Sequence, residues 1–192
     1  MVEVVCDNAT DFLADKSYPA IITSLPDAKE INLSLGDWRE WFVGAARLCV
    51  DASAQTVFYQ TDRKHGGEHQ DKRSLLVGAC GNPRWAKIVL RRAVGAVDLR
   101  RPGYAHLIAF GGAGPGTASP DVIPPSKAHY RDGVPLNAAR VAAAWVGGGP
   151  VCDPFCGRGG FFPALLERGL DVVGVDIDPE QCRHARNMGA LL

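Results

Sequence analysis

Near the C-terminal end of the chain runs Val151-Cys152-Asp153-Pro154-Phe155-Cys156-Gly157-Arg158-Gly159-Gly160, and after a helical pattern comes Asp171-Val172-Val173-Gly174-Val175-Asp176. Its physical reading is strand, glycine turn, helix, strand, acidic tip, and no other stretch restricts the fold as tightly. Gly157, Gly159 and Gly160 permit a turn tight enough for backbone N–H groups and a helix N-terminus to approach a ligand. Asp176 closes the next strand, where a carboxylate can take two ribose hydroxyls. The turn opens with Asp153 and Pro154, which suit a cationic ligand better than a diphosphate, so the dinucleotide fingerprint fits poorly.

Asp153-Pro154-Phe155-Cys156-Gly157-Arg158-Gly159 resembles motif I of the amino-methyltransferases that modify nucleic-acid bases, usually written D-P-F-x-G-x-G, and Gly174-Val175-Asp176 resembles their motif II. The resemblance implies S-adenosylmethionine (SAM) as cofactor. Carried over residue by residue, it implies that Asp153, Phe155, Cys156, Gly157 and Gly159 line the methionine and sugar. Asp176 and Ile177 would take the ribose and adenine face, and Asp7 with Asn8 would face the adenine amine. Asp7 ends the short β-rich run Val2-Glu3-Val4-Val5-Cys6, as the acid of motif III does. In the same group the segment before the SAM turn touches the methionine part, which here points to Ser126, Lys127 or Asn137.

Motif IV of these enzymes is a strand ending in D/N/S-P-P-Y/F/W, and Thr23-Ser24-Leu25-Pro26-Asp27 matches it in part: Leu25 stands for the first proline and Asp27 for the aromatic residue. The resemblance implies that Ser24 and the backbone around Pro26 hold an exocyclic amine on a flipped base. Asp27 offers a carboxylate within reach of the transferred methyl, able to accept a hydrogen bond or a proton. A second reading leaves Asp27 as the cap of the following turn.

The length of 192 residues suits one compact α/β domain, 1–192, better than two. Basic and acidic side chains balance at 21 each, so any nucleic-acid footprint has to be local. No apolar run approaches the ~18 residues of a membrane helix, and the first residues lack the basic start of a signal peptide, so a cytoplasmic protein is expected. The six cysteines show no C-x-x-C pairing; reduced thiols packed as small hydrophobes are expected, with neither metal nor disulfides.

Seven strands are expected, at Val2–Cys6, Pro19–Ser24, Gln55–Thr61, Trp85–Arg91, Tyr104–Phe110, the run to Asp153 and the run to Asp176, mostly alternating with helices. That is a doubly wound, mostly parallel sheet with an antiparallel edge pair. Asp37-Trp38-Arg39-Glu40 has the form of a capping box ahead of an amphipathic helix whose stripe is Trp38, Trp41, Phe42, Ala45, Leu48 and Cys49. A glycine-bearing polar loop follows Asp62, and the Gly, Pro, Ala and Ser-rich stretch at about 111–128 reads as a mobile loop. The usual SAM-dependent methyltransferase presents the SAM turn first, whereas here it comes last, so the chain resembles the circularly permuted group.

From Arg84 to Arg101 six positive charges face only Asp98, a patch suited to phosphates that Arg91, Arg92 and Arg101 would carry, with Arg63 and Lys64 at the same sheet edge. A merely solvated strand pair is the alternative. With no large target-recognition insertion, structured RNA, tRNA first, is expected ahead of duplex DNA. The alternatives are a small-molecule N-methyltransferase and a SAM-binding partner subunit without catalysis.

Overall fold

The computed structural model describes residues 1–65, 68–91, 102–112, 119–131 and 133–190. Among them one eight-stranded sheet forms from β1 (Val2–Cys6), β2 (Tyr18–Thr23), β3 (Ser53–Gln60), β6 (Trp85–Leu90), β7 (Tyr104–Gly111), β8 (Val122–Ile123), β9 (Val151–Asp153) and β10 (Val172–Asp176). The order across it is β1-β10-β9-β2-β3-β7-β6-β8. The first five of these run parallel, β7 is antiparallel to both β3 and β6, and β8 is parallel to β6. A separate hairpin, β4 (Arg63–His65) with β5 (Glu68–Gln70), stands beyond the end of β3.

Parallel strands have to be covered on both faces, and the helices divide accordingly. On one face α4 (Leu136–Trp145), α5 (Phe162–Leu166) and α6 (Pro179–Ala190) pack over Ala20, Ile22, Val57, Leu107 and Val151. On the other α1 (Ala9–Leu13), α2 (Leu35–Asp51) and α3 (Lys72–Cys80) cover Ile21, Phe58, Ile108 and Cys152. Along α2 the buried residues Trp38, Phe42, Ala45, Ala46 and Cys49 fall at helical spacing, and burying Trp38 and Phe42 stabilises the fold by roughly 2–3 kcal/mol each.

Three expectations are corrected. The sheet has eight strands rather than seven, because Val122–Ile123 pairs with β6 and Ile123 enters the core, so residues 119–128 of the expected mobile loop include packed backbone. At the start of that stretch Gly111 closes β7 and Gly112 N donates to Ala54 O at 3.0 Å, and 113–118 lie outside the described residues. The box that starts α2 is Ser34 with Asp37, not Asp37 with Glu40: Ser34 Oγ accepts from Asp37 N at 3.2 Å and donates to Asp37 Oδ2 at 2.6 Å. The polar loop after Asp62 is in part the β4–β5 hairpin, closed by an Arg63–Gln70 and a Lys64–His69 pair.

Candidate functional site

The C-terminal ends of β1, β10, β9, β2 and β3 meet at one edge of the sheet, where open α/β sheets take ligands. Register alignment brings Cys6 beside Asp176, and Gly174 beside Asp153. Asp153, at the tip of β9, is 1% exposed, and its Oδ1 accepts from Thr23 Oγ1 at 2.7 Å, tying the glycine turn to β2. Burial pushes its carboxyl up to about 7; hydrogen bonds from Thr23 and the Phe155 N–H pull back, and the nearby Asp176 charge adds to the rise. A carboxyl so placed gains most from a cation arriving beside it.

Gly157 has φ 51° and a missing Cβ that faces open space, whereas Gly159 has φ 79° and a Cβ there would lie 2.7 Å from the Phe162 ring. The turn is held from across the sheet: Gly157 N donates to Asp176 Oδ2 at 2.9 Å, and Asp178 N donates to Asp176 Oδ1 at 2.9 Å. Each Asp176 oxygen keeps a further lone pair for a hydroxyl. Ile177, immediately after, is 69% exposed, an apolar side chain left bare beside a carboxylate. Asp7 lies in the adjoining turn, with its N–H donating to Asp176 O at 3.1 Å. Asn8 uses its side-chain oxygen to cap α1, accepting from Thr10 N at 2.9 Å.

Phe155 packs edge-on against Trp41, with ring centroids 5.7 Å apart, and Cys156 is buried with its thiol pushed up by desolvation, so it packs rather than reacts. Ser126 Oγ accepts from Asn137 N at 2.8 Å and Lys127 O from Leu136 N at 3.1 Å, which spends Ser126 and the Lys127 carbonyl on the start of α4. Tyr130, which sequence reasoning missed, stands over the turn: a Cβ on Gly160 would lie 2.9 Å from its hydroxyl. Burial, reinforced by the Asp153 charge, pushes this phenol up to about 12. Nothing in the local sequence marks Tyr130, since it comes from the segment ahead of α4.

The Ser24–Asp27 segment follows β2 at the same edge and is gripped from four elements. Trp38 Nε1 donates to Pro26 O at 3.1 Å. Gln60, fully buried at the end of β3, brackets Leu25 in the amide orientation that gives both its ends partners, accepting from Leu25 N at 2.6 Å and donating to Leu25 O at 3.3 Å. The Asp27 carboxylate is buried beneath two cations, Lys72 Nζ from the first turn of α3 and Arg63 Nε at 2.8 Å from the hairpin. It does not cap the turn; instead Glu30 Oε2 accepts from Asp27 N at 2.7 Å. The Ser24 hydroxyl makes no hydrogen bond among the described residues.

Of the basic patch, Arg92 and Arg101 lie outside the described residues. Arg91 is half-buried at the base of the β6–β7 connection, its N–H donating to Gly103 O at 2.9 Å. Lys64 is placed by its backbone in the hairpin, and Arg63 is committed to Asp27 rather than free for a phosphate. Lys87 is also engaged, donating to Ser119 O at 3.1 Å. Among the described residues no cluster of His, Cys, Asp and Glu could hold a metal, and no helix is long and apolar enough to cross a membrane.

No family model matches the sequence, and no curated protein does. Solved structures do match. A protein of Thermus thermophilus described as a DNA modification methylase, complexed with S-adenosyl-L-methionine, shares 15% identity over 100% of this chain and 94% of its own, with a TM-score of 0.76. The cytosine-N4-specific PvuII DNA methyltransferase shares 12% over 96% of this chain and 85% of its own, with a TM-score of 0.75. M1.HpyAVI in complex with SAM shares 14% over 98% and 100%, with a TM-score of 0.67. Likeness at such identities is a likeness of fold: the chain has the architecture of the class I SAM-dependent methyltransferases.

Proposed function

We propose that the chain is a SAM-dependent methyltransferase acting on an exocyclic amine of a nucleic-acid base. The observation that carries the reading is the turn itself: Gly157 is clamped to Asp176 over open space, with Ile177 bare on one side and the buried Asp153 on the other. The donor set fits SAM, with Asp176 for the ribose hydroxyls, Ile177 and Asp7 for the adenine, and Asp153, Phe155, Cys156 and Gly159 around the methionine end. When bound there, SAM supplies an electrophilic methyl group. The late chain position of β9 and β10, which lie between β1 and β2 in the sheet, supports a circularly permuted order.

On the acceptor side, the open Ser24 hydroxyl and the backbone around Pro26 receive the amine, and Asp27 bounds the pocket beyond them. For Asp27 to take a proton, Arg63 has to swing away from it, since both carboxylate oxygens already face cations. The named activities of the similar structures favour DNA as substrate; structured RNA, tRNA first, is the other candidate, and the assay separates the two. A SAM-binding subunit without turnover is the second reading, favoured by the locked Asp27. Incubation with methyl-labelled SAM and pools of single-stranded DNA, duplex DNA and tRNA, followed by nucleoside mass spectrometry, tests the proposal. N-methylated base is expected with wild-type protein, and Asp27→Asn should lower turnover by ~10²-fold while SAM binding persists. SAM binding with no methylated nucleoside from any pool would leave the subunit reading.

A further inference from the structure

Beyond the acceptor segment, further along the same sheet edge, a cleft of about 680 Å³ opens between α3 and β7, lined by Asp62, Asp71, Arg73, Ser74, Tyr104 and His106. It lies one lysine side chain away from Asp27: Asp62 Oδ1 accepts from Lys72 N at 3.1 Å, and the ammonium of the same Lys72 meets Asp27. His106 Nε2 sits 3.4 Å from Asp62 Oδ2, with both side chains more than nine-tenths buried. In the neutral ring the nitrogen facing that carboxylate, Nε2, is the one placed to carry the proton. The other ring nitrogen, Nδ1, is then an acceptor, and it is buried without a partner. Buried polar atoms in folded proteins almost always have partners, so an orphan on a residue that lines a cleft marks a position a ligand can complete.

The rest of the lining says what kind. Tyr104, 40% exposed, meets His106 edge-on at 5.3 Å between ring centroids, which leaves a broad aromatic surface toward the cleft. Arg73 is exposed on the first turn of α3 and has no ion-pair partner among the described residues. A donor-seeking nitrogen, a stacking ring and a free guanidinium together suit an amino-bearing base attached to a phosphate. We propose that this cleft binds one nucleotide, its ring on Tyr104, its exocyclic amine donating to His106 Nδ1 and its phosphate on Arg73. The proposal rests on the reading of the chain as a nucleic-acid base methyltransferase and identifies a second contact for the acceptor strand.

The test uses the full chain with AMP, with purine riboside monophosphate, which lacks the amine, and with a fluorescein-labelled single-stranded hexa-adenylate, read by calorimetry and anisotropy. AMP should bind at least tenfold more tightly than this analogue without the amine, and its binding should move the His106 Nδ1 signal in ¹⁵N NMR. Arg73→Ala and Tyr104→Ala, both at the surface, should each weaken the hexa-adenylate at least tenfold and leave SAM affinity unchanged. A hexamer that binds while AMP does not moves the His106 signal if the cleft takes the nucleotide only as part of a strand. Affinities unchanged in both variants, or a His106 signal unmoved by either ligand, would overturn the proposal. SAM binding separates the two failures: a chain that binds SAM but no nucleotide in the cleft loses this inference alone, and one that binds no SAM loses the reading beneath it.

Discussion

The glycine turn and the acceptor segment lie at one sheet edge but are built in opposite ways. The turn between β9 and α5 is a backbone structure: two positive-φ glycines, a carboxylate accepting from main-chain N–H groups, and a ring packed where a Cβ would be. The Ser24–Asp27 segment owes its shape to side chains from elsewhere, with Trp38 on Pro26, Gln60 around Leu25, and Lys72 and Arg63 on Asp27. A backbone-built site tolerates change in its surroundings and little change in its own residues. A site built by distant side chains fails when any of the distant partners is changed.

The largest effect is expected on the acceptor side. Lys72 is 3% exposed, and Lys72→Met leaves the Asp27 carboxylate buried with only a half-exposed Arg63 beside it. A loss of about 3 kcal/mol is expected by denaturant unfolding, much of it recovered when Asp27→Leu is added. A double variant no more stable than Lys72→Met would mean that the ion pair does not organise this side. On the other side, Gly159→Ala forces a Cβ into positive φ and onto Phe162, for roughly 2–3 kcal/mol of stability from strain and overpacking together, with SAM binding lost. If that variant bound SAM normally, the backbone would not be what defines the turn.

The contrast also decides how much could be read from sequence. The turn was legible, because the glycines, Asp153 and Asp176 lie in one continuous stretch and each is demanded by local geometry. Of the acceptor side only Ser24, Pro26 and Asp27 were legible. The ion pair of Asp27 with Lys72 spans 45 residues, and Lys72 sits in a polar run that reads as an ordinary helix start. Tyr130, Gln60 and His106 were missed for the same reason: each acts through a contact the fold makes between distant segments. The strand count erred at β8, where two residues of a Gly and Pro-rich stretch take strand pairing because an edge of β6 is there to receive them.

A smaller effect sharpens the reading of Asp153. Its carboxyl is raised to about 7 by burial, well above its unfolded value near 4. The sign follows: stability from this group is full below about pH 4 and is lost as pH rises through about 7. A cationic ligand favours the ionised form, so SAM affinity should rise by up to ~10-fold per pH unit below 7 and level off above it. Asp153→Asn should flatten that rise. Equal slopes in variant and parent would remove Asp153 from the cofactor's surroundings.

The central claim is that the edge formed by Gly157, Asp176 and Ile177 holds SAM, and calorimetric titration of wild type and Asp176→Ala with SAM tests it most directly. The account predicts saturable binding by the wild type, at one site per chain, and a loss of ~2 kcal/mol in the variant, the cost of removing a charged hydrogen-bond partner from the ribose. Equal affinity in the two proteins, or no binding in either, would contradict it.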